Sequence, residues 1–186
     1  MTEQQPYDVV TKYPGFELRR YPAHMVAEVE VDGSFTDAGN RAFGTLVGFI
    51  SGANSARGKI AMTAPVVQES AKIAMTAPVV QAQGADPGRH LVSFVMPATY
   101  SLDTLPTPKD SRITIRQVPA EVAAAATFSG RWTEQLFQEH LADLRRAVAD
   151  AGLEISGPPR FARFDPPWRP WFLRRNEVVL PVLYVS

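Results

Sequence analysis

One decapeptide, KIAMTAPVVQ, is written twice, at residues 59–68 and 72–81, with only Glu-Ser-Ala between the copies. Each copy offers a lysine ammonium, a soft thioether (Met62 or Met75), a hydroxyl and a proline that withholds one ladder hydrogen bond. Such a segment reads as an irregular strand at an edge or bulge, with Ile, Met and Val available to something apolar. Because the copies have identical local propensities, either can take the regular strand position. Glu177 is the other chemically pointed residue, an acid beside Val178, Val179 and Leu180. A buried, unpaired carboxylate is costly, so it points outward, pairs with an arginine, or faces a cleft where it would serve as acid or base if the protein is an enzyme. Three histidines, His24, His90 and His140, show no metal-ligand spacing among themselves. Neither GxSxG nor HExxH occurs, and Gly52 to Gly58 fails as a phosphate loop because Ile60 stands where the hydroxyl belongs. Enzyme chemistry has no motif to rest on here.

The bulk properties narrow the partners. Nineteen basic residues balance nineteen acidic ones over 186 positions, which gives no global field to attract a polyanion and argues against nucleic acid. With no cysteine there is neither disulfide framework nor thiolate site. The start, MTEQQPYDVV, has no basic, apolar leader, and no run approaches a membrane span, so the expectation is a cytoplasmic protein with a small-molecule ligand, its oligomeric state left open with monomer slightly favoured. At this length one domain, 1–186, is the default.

A second and larger repeat spans the secondary-structure elements. Laying FELRRYPAHMVAEVEVDGSF, from Phe16, over ITIRQVPAEVAAAATFSGRW, from Ile113, needs a constant offset of 97 and no gap. Arg19 then meets Arg116, Pro22 meets Pro119, Gly33 meets Gly130 and Phe35 meets Trp132. Each half, approximately 7–99 and 111–185, reads as strand, Pro-Ala turn, strand, glycine and helix, followed by more strand. Met25 to Val31 alternates, whereas Val122 to Phe128 is too uniformly small to choose a face. Ser34 caps a helix over Phe35 to Ile50, and a second apolar stripe runs from Trp132 to Ala151 before Gly152. The sum is an α+β chain of two β-α-β-β repeats, about eight strands and two helices. Its helices either share one side of the sheet, or the sheet curls around a common centre and leaves a cleft.

KIAMTAPV, preceded by GFISGANSARG and followed by LVSFVMPATYSLDTLP, resembles the SOUL family of haem-binding proteins. YPGFELRRYPAHMVAEVEV, VPAEVAAAATFSGRW and FDPPWRPWFLRRNEVVLPV extend the likeness from about Tyr7 to Val185. The resemblance implies a twisted, antiparallel, barrel-like sheet with two flanking helices and a surface cleft for haem or a related tetrapyrrole. It makes binding, buffering or transport the leading expectation. An enzyme, such as a hydrolase acting on an apolar small molecule, or an effector-binding or interaction module is the alternative. Haem calls for a flat apolar slot, cations for two propionates and an optional axial ligand. The basic candidates are Arg57, Lys59, Lys72, Arg174 and Arg175. His24 and Met62 are the candidates for iron, Met75 and Met96 for contact with the ring, and Trp168 with its aromatic neighbours for a wall. For each the competing reading is ordinary packing or a solvated side chain.

Overall fold

The computed structural model describes residues 3–55, 73, 76–84, 88–165 and 168–184. Strands β1 (Glu3–Gln4), β2 (Asp8–Tyr13), β3 (Phe16–Tyr21) and β4 (His24–Asp32) lead into helix α1 (Phe35–Ile50). β5 (Asn54–Ser55), β6 (Thr76–Ala77), β7 (Val79–Gln83), β8 (Arg89–Val95) and β9 (Thr107–Pro108) follow. The second half runs through β10 (Thr114–Val118), β11 (Glu121–Phe128), α2 (Glu134–Asp150), β12 (Glu154–Ile155) and β13 (Arg160–Arg163). A single 3-10 turn (Trp171–Leu173) precedes β14 (Asn176–Leu183).

Both helices begin where a side chain takes over an orphan amide. Ser34 Oγ accepts from the Asp37 amide at 3.2 Å, and Thr133 Oγ1 from the Leu136 amide at 3.3 Å. Each ends just before a glycine with positive φ, Gly52 at 122° and Gly152 at 71°, a conformation that suits glycine and turns the chain out of the helix. α1 buries Phe35, Ala38, Ala42, Leu46 and Phe49, and α2 buries Phe137, Leu141, Leu144 and Val148, each a stripe at helical spacing.

The offset of 97 carries β3 onto β10, β4 onto β11 and α1 onto α2, so the repeat is structural. The sheet order is β10, β4, β8, β7, β13, β14, β11, β3, β2, with β12 added beside β14. The opening strands are therefore exchanged: β3 of the first half pairs with β11 of the second, and β10 of the second pairs with β4 of the first.

The sheet does not close into the expected barrel-like arrangement. Ten strands form one sheet, and its terminal strands, β10 and β2, do not pair with each other among the described residues, so the sheet is open. The eight repeat strands are all present, and β2 and β12 supply the excess. The tight turn at Gly15, φ 87°, folds β2 back along β3, and β2 forms the edge on that side.

Side chains alternate between two faces. Leu18, Ala27, Val29, Val92, Phe94, Phe161, Val178 and Leu180 point to the helices, where α1 packs on β4 and β8 and α2 on β11 and β14. Phe35 of α1 stacks on Phe137 of α2 with ring centroids 5.4 Å apart and joins the two cores. Among the described residues the opposite face holds no helix.

Candidate ligand-binding site

That helix-free face lines a cavity of about 420 Å³. β10 and β3 both reach it although they lie seven strand spacings apart in the sheet order, roughly 34 Å in a flat sheet. The sheet must therefore curl around the cavity. Val26, Val80, Leu91, Val95, Val118 and Val179 supply apolar walls from five strands. The second decapeptide copy provides Pro78 and Val80 to the cavity, while Val79 turns to the helix side. That copy holds the regular strand position, β7, in the middle of the sheet; the first copy lies outside the described residues.

Charged groups are built into this face by the exchange of opening strands. Glu177, 1% exposed, accepts from Arg19 Nη1 at 2.8 Å on Oε2, and from Arg175 Nη2 at 2.7 Å and Thr127 Oγ1 at 3.1 Å on Oε1. Glu28 accepts from Arg116 Nε and Nη2, both at 2.9 Å, and from Ser93 Oγ at 3.4 Å. Arg19 and Arg116 hold the same repeat position, and each pairs with an acid of the other half. Burial opposes the charge on Arg19, but the hydrogen bond and charge of Glu177 outweigh it and raise its pKa. For Arg116 the bond to Glu28 comes first and raises it. Tyr21, beside Arg19, is pushed up to about 12 by burial, against the pull of that guanidinium, so it remains a phenol.

His24 lines the cavity near Arg116, Arg160 and Glu121. Its Nδ1 lies 3.0 Å from the Pro22 carbonyl oxygen, which fixes the proton on Nδ1 and leaves the Nε2 lone pair facing the Gln5 amide nitrogen at 3.2 Å. Burial, first of all, lowers its pKa, helped by Arg160 and opposed by the Pro22 bond, and the ring is neutral at neutral pH. Arg160 is paired with Glu121 through Nη2.

Of the residues singled out in the sequence, His24, Arg175 and Glu177 come together at or beside the cavity, and Glu177 is the paired acid. Met96 packs at 3% exposure in the core beneath α1, on the other face. Trp168 is 84% exposed, and Arg174 lies over the Trp132 ring at 4.2 Å; neither lines the cavity. Arg57, Lys59, Met62, Lys72 and Met75 lie outside the described residues. His140 stacks on Phe128 and His90 meets the edge of the Phe35 ring. Sequence reasoning missed Arg19, Tyr21, Arg116 and Arg160. The one available signal was the repeat itself, which set Arg19 over Arg116.

An open antiparallel sheet backed by two helices and curled around an apolar cavity with ion pairs in its walls defines a small-molecule-binding α+β domain. The chain belongs to the SOUL heme-binding protein family, whose model matches residues 2–181. Membership supports a role in binding haem or a related tetrapyrrole without chemistry of its own. Among solved structures, the C-terminal domain of EcmrR is similar over 96% of this chain and 99% of that one, with a TM-score of 0.61 at 14% identity. A hydrolase from Listeria innocua has a TM-score of 0.55 at 11% identity, over 88% of this chain and 90% of that one. SAV2435 bound to tetraphenylphosphonium has a TM-score of 0.50 at 9% identity, over 90% and 93%. At these identities the likeness is one of fold. A comparison with curated protein sequences found no match. Among the described residues no helix is long and apolar enough to cross a membrane.

Proposed function

We propose that the cavity on the helix-free face is where the protein holds its tetrapyrrole for buffering or transport, and that His24 is the side chain that would hold the metal of an iron-bearing ring. The observation that carries this is the state of His24: a neutral imidazole whose Nδ1 proton is committed to a backbone carbonyl and whose Nε2 lone pair faces the cavity side chain of Gln5, an amide that an incoming metal would displace. The surroundings fit the rest of the ligand. Valine walls suit the macrocycle, and Arg116 and Arg160 line the same cavity with N–H groups beyond those given to Glu28 and Glu121, suited to propionates. SAV2435, of the same fold, takes a bulky aromatic ion, which supports a ligand of similar breadth. Bound haem would supply an iron centre; the chain supplies the imidazole, the apolar enclosure and the cations.

Titration with haemin and with metal-free protoporphyrin, followed by Soret absorbance, tests this. His24→Ala is expected to weaken haemin binding by about tenfold or more, the scale of one ligand bond, and to leave protoporphyrin unchanged. The paired change Glu28→Gln with Arg116→Gln, which leaves no lone buried charge, should weaken both rings. The pH dependence has a definite sign. With the folded pKa held below the usual 6.5, the neutral ring persists at neutral pH, and haemin affinity falls as acid protonates Nε2. The unfolded chain takes up that proton first, so the stability due to His24 is full above the unfolded value and is lost as pH falls through the folded one. Equal losses of both rings in His24→Ala, or no loss of either, would remove His24 from the iron.

A further inference from the structure

Four large apolar side chains stand in water within six residues: Trp168 at 84% exposure, Phe172 at 57%, Leu173 at 53% and Trp171 at 49%. Single exposed hydrophobes are ordinary, but such a cluster marks a surface that meets something. None of the four lines the ligand cavity. The segment is held in place by its own backbone. The Leu173 amide donates to the Pro170 carbonyl at 2.9 Å, Arg174 Nε to the Arg169 carbonyl at 2.8 Å, and the Phe164 amide to the Arg175 carbonyl at 3.2 Å at its base.

The charge exposed beside the cluster is positive. Arg131 lies over the Trp171 ring at 5.6 Å and is exposed, with no carboxylate partner among the described residues. Arg169, its side chain 49% exposed, is bridged to Asp165 at 2.5 Å, but that acid is nearly buried, so the cation faces outward. In a chain whose total formal charge is zero, this is a local positive rim around an aromatic tip. Trp and Phe beside arginine suit the boundary of an anionic bilayer, where the rings enter the headgroup layer and the guanidiniums meet phosphates. Aromatic and aliphatic side chains this exposed, flanked by arginines, suit a fluid anionic boundary, which needs no matching shape, better than a folded partner, which does.

We propose that residues 168–173, with Arg131 and Arg169, dock the protein reversibly on anionic membrane surfaces. Phe164, at the base of the segment, lines the ligand cavity, so docking would bring one end of that cavity to the bilayer. The docking does not depend on which ligand the cavity holds, and ligand-free protein tests it. Co-sedimentation with vesicles of phosphatidylcholine and phosphatidylglycerol in equal parts should retain the protein, with a blue shift of tryptophan emission, while pure phosphatidylcholine should retain little. Added salt should reduce retention. Phe172→Ser with Leu173→Ser, and separately Arg131→Glu, should each lower partitioning by about tenfold, with unchanged circular dichroism and cooperative melting. Absence of binding to anionic vesicles, or binding that neither variant alters, overturns the proposal. So does a self-association seen by sedimentation equilibrium that Phe172→Ser with Leu173→Ser abolishes, since the cluster would then serve a second copy.

Discussion

Glu177 commits both oxygens to donors from three places in the chain, Arg19 on β3, Thr127 on β11 and Arg175 just before β14. Removing the acid leaves the almost wholly buried Arg19 with Glu17 as its remaining carboxylate, at 2.9 Å, and takes from Arg175 its carboxylate, whereas removing the whole cluster for apolar groups would cost far less. Glu177→Leu is therefore expected to lower unfolding free energy by about 3–5 kcal/mol in urea, and Arg19→Met added to it should return part of the loss. A loss below about 1 kcal/mol would show that Glu17 and water together satisfy the arginines. In the sequence, Glu177 could be seen to need a partner, but its partner could not be chosen. Arg19 is 158 residues away and reaches it across β11, a neighbour relation that only the exchanged strand creates.

Helix α1 shows which elements the sequence discloses. Its bounds follow from a capping serine, a stripe at helical spacing and a glycine after the last turn, all local signals. β11, EVAAAATF, disclosed no orientation because alanine fits either face. In the sheet Ala124 turns to the helices, while Ala123 and Ala125 join Tyr21 and Val179 on the cavity side. Gly39 in the middle of α1 looks like a weakness that alanine would repair, worth about 1 kcal/mol of propensity. The structure reverses that expectation. An added Cβ would sit 2.6 Å from Arg163 Nη1 and 3.0 Å from its Cζ. Arg163 cannot swing aside freely: Phe35, Trp132 and Phe161 rings lie 5.0–5.8 Å from its guanidinium, and Nη2 donates to Gln81 Oε1 at 2.9 Å. Burial, then Arg174, already lowers its pKa to about 10. Overpacking of about 1–3 kcal/mol should exceed the propensity gain, so Gly39→Ala is expected to melt earlier than the parent; a higher melting temperature would mean that Arg163 relocates without cost.

For the molecule as a whole, the repeat was legible and the closure was not. Constant spacing of 97 survives any tertiary arrangement, but whether edge strands meet depends on curvature, which alternation of side chains does not encode. The exchange of opening strands also has a practical consequence for the chain as a divisible object. Residues 101–104 are exposed in the connector, and a break between Leu102 and Asp103 would give two pieces that each lack the neighbour their second repeat strand requires. Neither piece is expected to show cooperative melting alone, while an equimolar mixture should regain the circular dichroism of the intact protein. Independent folding of either piece would contradict this. Should the pieces reassemble, fusing each to a different protein would make the regained tetrapyrrole absorbance a reporter of whether those two proteins meet.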